Sequence, residues 1–190
     1  MKNKSQCSKT LYVGIDNGVT GSIGLIVEEL GKVIWAESIK TPIIKRRNYT
    51  KENKYINCID YKEVAKTIDK YKADCVHVAV ERPMVNPGRF FQTLSAMRSL
   101  EATEVAIGIS SNVESFCYVD SKDWQSDILP GVEGNDLKPE SWIIGISLYN
   151  QILGKYSGND CDGLLIADWL MKGVKKSRGF SLSNVTKISV

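Results

Sequence analysis

The sequence is poor in the residues that build zinc sites and disulfide scaffolds. It has one histidine, and its five cysteines, Cys7, Cys58, Cys75, Cys117 and Cys161, form no CxxC pair. This argues against a His/Cys zinc site. An odd number of thiols at irregular spacing fits a reducing compartment better than a disulfide framework. No apolar run approaches the ~20 residues that a membrane span needs. The first ten residues, MKNKSQCSKT, lack the apolar segment of a secretory signal. The expectation is a cytoplasmic chain with no membrane partner and a short flexible start over 1–10. Net charge is also small, with 25 Lys and Arg against 22 Asp and Glu. Global charge therefore gives no argument for a nucleic-acid partner, and local distribution must carry it. There are no internal repeats and no low-complexity tract.

What is present suits one globular domain. Of the 190 residues, 43% are hydrophobic and 25% charged, enough for a core of its own. LYVGID (11–16) reads as a buried strand ending in Asp16 and a glycine-rich turn. Strands at 22–28 and 33–40 follow through a short turn with Gly31, giving an antiparallel meander. Segment 41–57 is polar, basic and poorly periodic, and reads as an exposed loop. A helix over about 58–72 has Val64, Ile68 and Tyr71 as its apolar stripe. A strand at 75–81 ends in Glu81, and RPMVNPGR (82–89) is a loop. A helix over 90–108, a strand over 113–119, and helices over 121–128, 138–153 and 160–173 complete the domain, 11–173. The tail 174–190 is basic, then rich in Ser and Thr. The order β-β-β-α-β-α-β-α-α implies an α/β fold: a mixed five-stranded sheet of the RNase H-like kind, with helices on both faces.

Four acids fall at telling places in that order. Open α/β sheets bind ligands at the carboxyl ends of parallel strands. Asp16 ends the first strand and Glu81 the fourth, so parallel neighbours would bring both to one edge. Paired carboxylates repel, and a divalent cation relieves the repulsion. Oxygen-only ligands select Mg²⁺. In SGNDCDGLLIADWL (157–170), Asp162 shares a helix face with Leu165, Ile166 and Trp169, which must pack on the sheet. Structural alternatives stand beside each role. Asp16 also suits a hairpin turn, and Glu81 a surface strand end. Ser157-x-x-Asp160 resembles a capping box.

The segments GIDNGVTGSIGLI (14–26), VAVERP (78–83) and DCDGLLIA (160–167) resemble the RuvC-type Holliday-junction resolvases, especially the short forms encoded by bacteriophages. YVDSKDWQSDILPG (118–131) and the following LKPESWIIGISLYN resemble the phage-type pattern too. The resemblance runs in order over about residues 11–170. It implies a homodimer in a bacterial or phage-infected cell that cuts four-way DNA junctions with two Mg²⁺ ions, Mn²⁺ serving as a substitute. It implies Asp16, Glu81 and Asp162 as metal ligands. Many members carry a further acid three or four residues before the last. Here Asn159 stands three back and Asp160 two back, which leaves two readings: Asp160 substitutes as the fourth ligand, or the site holds its second metal weakly. The two ions would activate a water for in-line attack and stabilise the leaving 3′ oxygen.

Further residues are candidates for DNA contact. Lys45, Arg46, Arg47, Lys51 and Lys54, with Tyr49 and Tyr55 between them, form the densest basic stretch, suited to phosphates and unpaired bases; a solvated loop is the plainer reading. Arg82, Arg89 and Phe90 border Glu81, with Phe90 or Phe91 alternatively anchoring the helix in the core or in a dimer interface. Lys122 and Lys138 are candidate phosphate clamps. His77 reads as a core histidine, and Trp124 as a packing residue. Two other functions compete. One is a DNA-junction-binding protein that kept the fold without catalysis. The other is a nucleotide-binding protein of the actin and sugar-kinase kind, whose phosphate loop GIDNGVTG resembles. That kind needs a second domain and a second glycine-rich loop, which the chain lacks.

Overall fold

The computed structural model describes residues 7–48, 54–150, 153–156 and 160–176. Strands β1 (Lys9–Ile15), β2 (Ser22–Glu29) and β3 (Lys32–Lys40) form the expected antiparallel meander. Leu30 and Gly31, both at positive φ, make the turn between β2 and β3, the backbone that two-residue hairpin loops require. After a two-stranded hairpin, β4 (Ile43–Arg47) and β5 (Tyr55–Ile59), come α1 (Tyr61–Asp69), β6 (Cys75–Glu81), α2 (Phe90–Ile109) and β7 (Val113–Val119). Helices α3 (Ser121–Ile128) and α4 (Leu137–Tyr149), a short strand β8 (Leu153–Tyr156) and α5 (Asp162–Lys176) complete the order.

The main sheet has the strand order β7-β6-β1-β2-β3-β8. β6 runs parallel to β1 and to β7, so the five expected strands form one mixed RNase H-like sheet. β8 adds a sixth strand, parallel to β3 at its outer edge. The expected helix over 138–153 thus ends at Tyr149, and its last stretch gives way to this strand. Four residues are too few to show a strand periodicity.

Side chains alternate between two cores. Leu11, Val13, Ile15, Val76, Val78 and Val80 join Val64 and Ile68 of α1 and Ala106 and Ile107 of α2. Tyr12, Ile26, Ala36 and Ala79 join Trp124 of α3 and Leu164, Leu165 and Ile166 of α5. Helices therefore cover both faces. Among the described residues no helix is long and apolar enough to cross a membrane.

The segment 41–57, expected as a loop, holds β4 and most of β5, with Asn48 and Lys54 closing the ladder (Asn48 N–H to Lys54 O, 2.7 Å). All of β4 is exposed, so no inside-outside alternation marks it in the sequence. Tyr49 and Lys51 lie outside the described residues. The first helix consequently starts at Tyr61, where the Asp60 carboxylate accepts the Glu63 N–H (3.3 Å), and not at 58. Cys7 and Cys75 are joined by a disulfide, their Cα atoms 6.1 Å apart. Sequence spacing gives no sign of this pair, because the contact arises from strand register, with Thr10 opposite Cys75.

Candidate metal centre

The alternation that builds the two cores also aims the acids. In β1, Tyr12 lies on the α5 side and Leu11, Val13 and Ile15 on the other. Asp16 continues the first set. In β6, Ala79 and then Glu81 share that side. Ile15 pairs with Val80, which carries Asp16 and Glu81 to the same end of the sheet.

Helix α5 reaches that end by direct backbone contact. A Cβ on Gly14 would lie 2.2 Å from the Gly163 carbonyl oxygen, one on Gly24 2.2 Å from the Leu164 nitrogen, and one on Gly163 2.5 Å from the Ser22 carbonyl oxygen. No side chain fits at these three positions, so β1, β2 and the first turn of α5 touch as bare backbone. Asp162, the first residue of α5, is delivered beside Asp16.

Asp16, Asp160 and Asp162 each offer a carboxylate oxygen, and these three atoms lie within 4.8 Å of one another. Asp160 precedes the helix, which starts at Asp162, so helical periodicity does not set its direction. One of its oxygens accepts the Ser22 hydroxyl (2.8 Å) and the Asp162 N–H (2.9 Å). The other meets the Lys138 ammonium at 3.0 Å. Asp160 thus accepts the first N–H of α5 and is also a member of the acidic cluster. Ser157 and Asn159 lie outside the described residues.

Second contacts hold the other acids. The Ser141 hydroxyl of α4 donates to Asp162, and a Cβ on Gly145, one turn on, would lie 2.5 Å from the Cys161 Cβ. The small residues Ser141 and Gly145 thus let α4 press on α5. Glu81 stands beside the three aspartates and accepts the indole N–H of Trp124 (3.0 Å), itself 1% exposed. Trp124 is a packing residue as expected, but it also orients Glu81. An indole facing a strand-end carboxylate is a sequence signal only once β6 and β7 are known to be neighbours.

The electrostatics record the crowding. Burial first, then the charges of Glu81, Asp160 and Asp162, push the Asp16 carboxyl up to about 8, against the pull of Lys138. Burial, with Asp162 and Asp160, pushes Glu81 up to about 7, although the Trp124 N–H and Lys138 oppose it. Asp162 is raised by burial and by Asp160. The Lys138 ammonium is held in its charged form by the hydrogen bond to Asp160. An all-oxygen donor set whose members resist ionising together suits a hard divalent cation such as Mg²⁺.

Arg82 packs over the Tyr118 ring (5.6 Å) and pairs with Asp120 at 3.6 Å while staying exposed. Arg89 ends a 3₁₀ turn, Pro87–Arg89, and is exposed. Phe90 and Phe91 stack edge to face but are 65% and 79% exposed, so neither anchors α2 in the core. Lys122 is exposed on α3. Lys45, Arg46 and Arg47 lie on β4 and are exposed. His77 is a partly buried sheet residue, stacked on Tyr12 (5.5 Å) and hydrogen-bonded to the Ser115 hydroxyl (2.6 Å), its imidazole kept below the usual range by burial.

Comparison with protein-family models and with curated proteins gives no match. Among solved structures, RuvC of Thermus thermophilus in complex with a Holliday-junction substrate is similar, with a TM-score of 0.54 and 15% identity, covering 89% of this chain and 96% of that one. A second Thermus thermophilus RuvC structure covers 90% of this chain and 96% of its own, at 15% identity and a TM-score of 0.44. The first likeness shows a RuvC-like fold.

Proposed function

We propose that the chain is a metal-dependent endonuclease that hydrolyses phosphodiester bonds in branched DNA, with four-way junctions as the preferred substrate. The observation that carries this reading is the meeting of Asp16, Asp160 and Asp162 within 4.8 Å, with Glu81 beside them, at the carboxyl end of parallel strands. In this reading Asp16, Glu81, Asp160 and Asp162 hold two Mg²⁺ ions, for which Mn²⁺ substitutes. When bound, the ions activate the attacking water and stabilise the leaving 3′ oxygen.

The protein's own groups do the positioning. Ser22 and the Asp162 N–H fix one oxygen of Asp160, and Ser141 fixes Asp162. Trp124 fixes Glu81. Lys138, 70% exposed at the cluster's rim, offers the phosphate a cation. Arg82, Arg89, Phe90 and Lys122 line the approach to the acids in this reading. The junction as substrate is supported by the RuvC-like fold and by the sequence resemblance.

A homodimer completes the proposal, because a two-fold axis suits two symmetric nicks. Phe91, Val105 and Ile109 recur on one face of α2 and are 79%, 49% and 56% exposed, with exposed Arg98 between them; this mixed apolar and basic face is suited to a second copy.

The test is cleavage of a synthetic four-way junction beside a linear duplex of the same sequence, with Mg²⁺. The wild type should cut the junction and spare the duplex. Asp16→Asn should bind the junction but cut it slower by a factor on the order of 10³. Binding without any cleavage by the wild type, with Mg²⁺ or Mn²⁺, would turn the reading toward a non-catalytic junction-binding protein.

A further inference from the structure

We infer that the β4–β5 hairpin is a separate DNA-binding arm, which grips the phosphates of a duplex arm with one face, formed by Lys45, Arg47, Tyr55 and Asn57. The inference takes its polyanion, DNA, from the function proposed above, but the surface itself is argued independently.

Charge singles out this segment. Residues 43–59 hold five Lys or Arg and one Glu, a net of four positive charges. The whole chain carries three, so everything outside the hairpin is net negative by one. A polyanion approaching this protein is drawn to the hairpin.

Register then sorts the charges between two faces. Directly opposed residues of an antiparallel pair share a face, and alternate residues lie on opposite faces. Lys45 pairs with Asn57, Arg46 with Ile56 and Arg47 with Tyr55. Lys45, Arg47, Tyr55 and Asn57 therefore lie on one face, and all four are exposed. Arg46 is on the other face with Ile44, Ile56 and Cys58, where Ile56 and Cys58 are half-covered; at the root of the open face Ile59 turns into the core with Ala106 and Ile107 of α2. The open face joins two cations to a phenol and an amide, all donors to phosphate oxygens. Lys45 and Arg47 make no ion pair among the described residues.

The hairpin's root lies at the catalytic end of the sheet. Thr41, just before β4, donates its N–H to the Gly21 carbonyl (3.1 Å). A Cβ on Gly21 would lie 2.2 Å from the Asp16 carbonyl oxygen, so the turn holding Gly21 is packed on Asp16 itself. At the other side of the root the Asp60 N–H meets the Pro42 carbonyl (2.9 Å). A five-residue strand extends about 17 Å, so the arm reaches beyond the strand being cut and meets DNA leaving the site. Rooting it beside Asp16 fixes where that DNA lies relative to the acids.

The experiment measures the salt dependence of binding of a fluorescent duplex and a four-way junction to the full chain, in chelator so that nothing is cut. Each lost phosphate contact makes the slope of log affinity on log salt shallower by about 0.9. The double variant Lys45→Gln, Arg47→Gln should be shallower by about 1.8 and bind on the order of tenfold weaker or more at low salt. Arg46→Gln should keep the wild-type slope. Lys45→Arg with Arg47→Lys should also keep it, which separates charge from any folding defect. A wild-type slope in the double variant overturns the inference, and so does an equal change in Arg46→Gln. Junction cleavage with Mg²⁺ is read separately. A wild type that cuts, with an unchanged slope in the double variant, removes the arm and leaves the nuclease; a changed slope without cleavage does the reverse.

Discussion

At the residue scale the carboxylates define the chemistry by what they cost the metal-free protein. The folded chain holds protons on Asp16 up to about pH 8 and on Glu81 up to about pH 7, while the unfolded chain has released them near the ordinary values of 3.8 and 4.5. A carboxyl raised on folding stabilises below its unfolded value, and the stability is lost as pH rises through the folded one. Without metal, the melting temperature should therefore fall from about pH 4 to about pH 8, and the fall should be shallower in Asp16→Asn, whose amide does not ionise. Mg²⁺ should raise the wild-type curve most at the alkaline end. Parallel curves for wild type and variant in a thermal-shift series would contradict the crowding of charge around Asp16.

The residues that carry this effect were legible to different degrees. Asp16, Glu81 and Asp162 each end or begin an element, and the period of that element aims them. Asp160 was harder to place because its angle depends on whether the helix has started; the helix begins at Asp162. Trp124, Ser22 and Ser141 were not assigned to the site. Their contacts join distant segments, and a lone Trp or Ser carries no spacing signal.

At the element scale the decisive feature is the bare contact between α5 and the sheet. Gly163→Ala places a methyl 2.5 Å from the Ser22 carbonyl oxygen and 2.7 Å from the Gly24 nitrogen, and neither can move without breaking the β1–β2–β3 ladder. Overpacking of this kind costs about 1–3 kcal/mol, or roughly 2–4 °C of Tm per kcal/mol for a chain of this size. Because the same shift lifts Asp162, the variant should also lose affinity for Mg²⁺ beyond its loss of stability. Thermal denaturation with and without Mg²⁺ checks this: a variant as stable as wild type, with the full Mg²⁺ shift, would refute the close seat. Long elements with strong alternation were readable from sequence, and β6 and β7 match their expected limits. The hairpin was not, because the exposed β4 is held by backbone hydrogen bonds and leaves little apolar pattern, and the four residues of β8 are too few to show a period.

At the scale of the whole molecule, the mixed sheet with its two helical layers follows from element order, but the partner surface does not. From the sequence Phe90 or Phe91 could anchor α2 in the core or in a dimer interface, and both face solvent. Phe91→Asp should leave the fold intact and convert the proposed dimer to a monomer in sedimentation, with junction cleavage reduced to uncoordinated single nicks. A wild type that sediments as a monomer at micromolar concentration would remove the dimer.

The central claim is that four acids make a divalent-metal centre, and calorimetric titration of Mn²⁺ into wild type and Asp16→Asn at about pH 8 tests it most directly. The expected result is saturable binding of about two ions by the wild type with release of protons, and loss of that binding in the variant. Equal binding by both proteins, or none by the wild type, would contradict it.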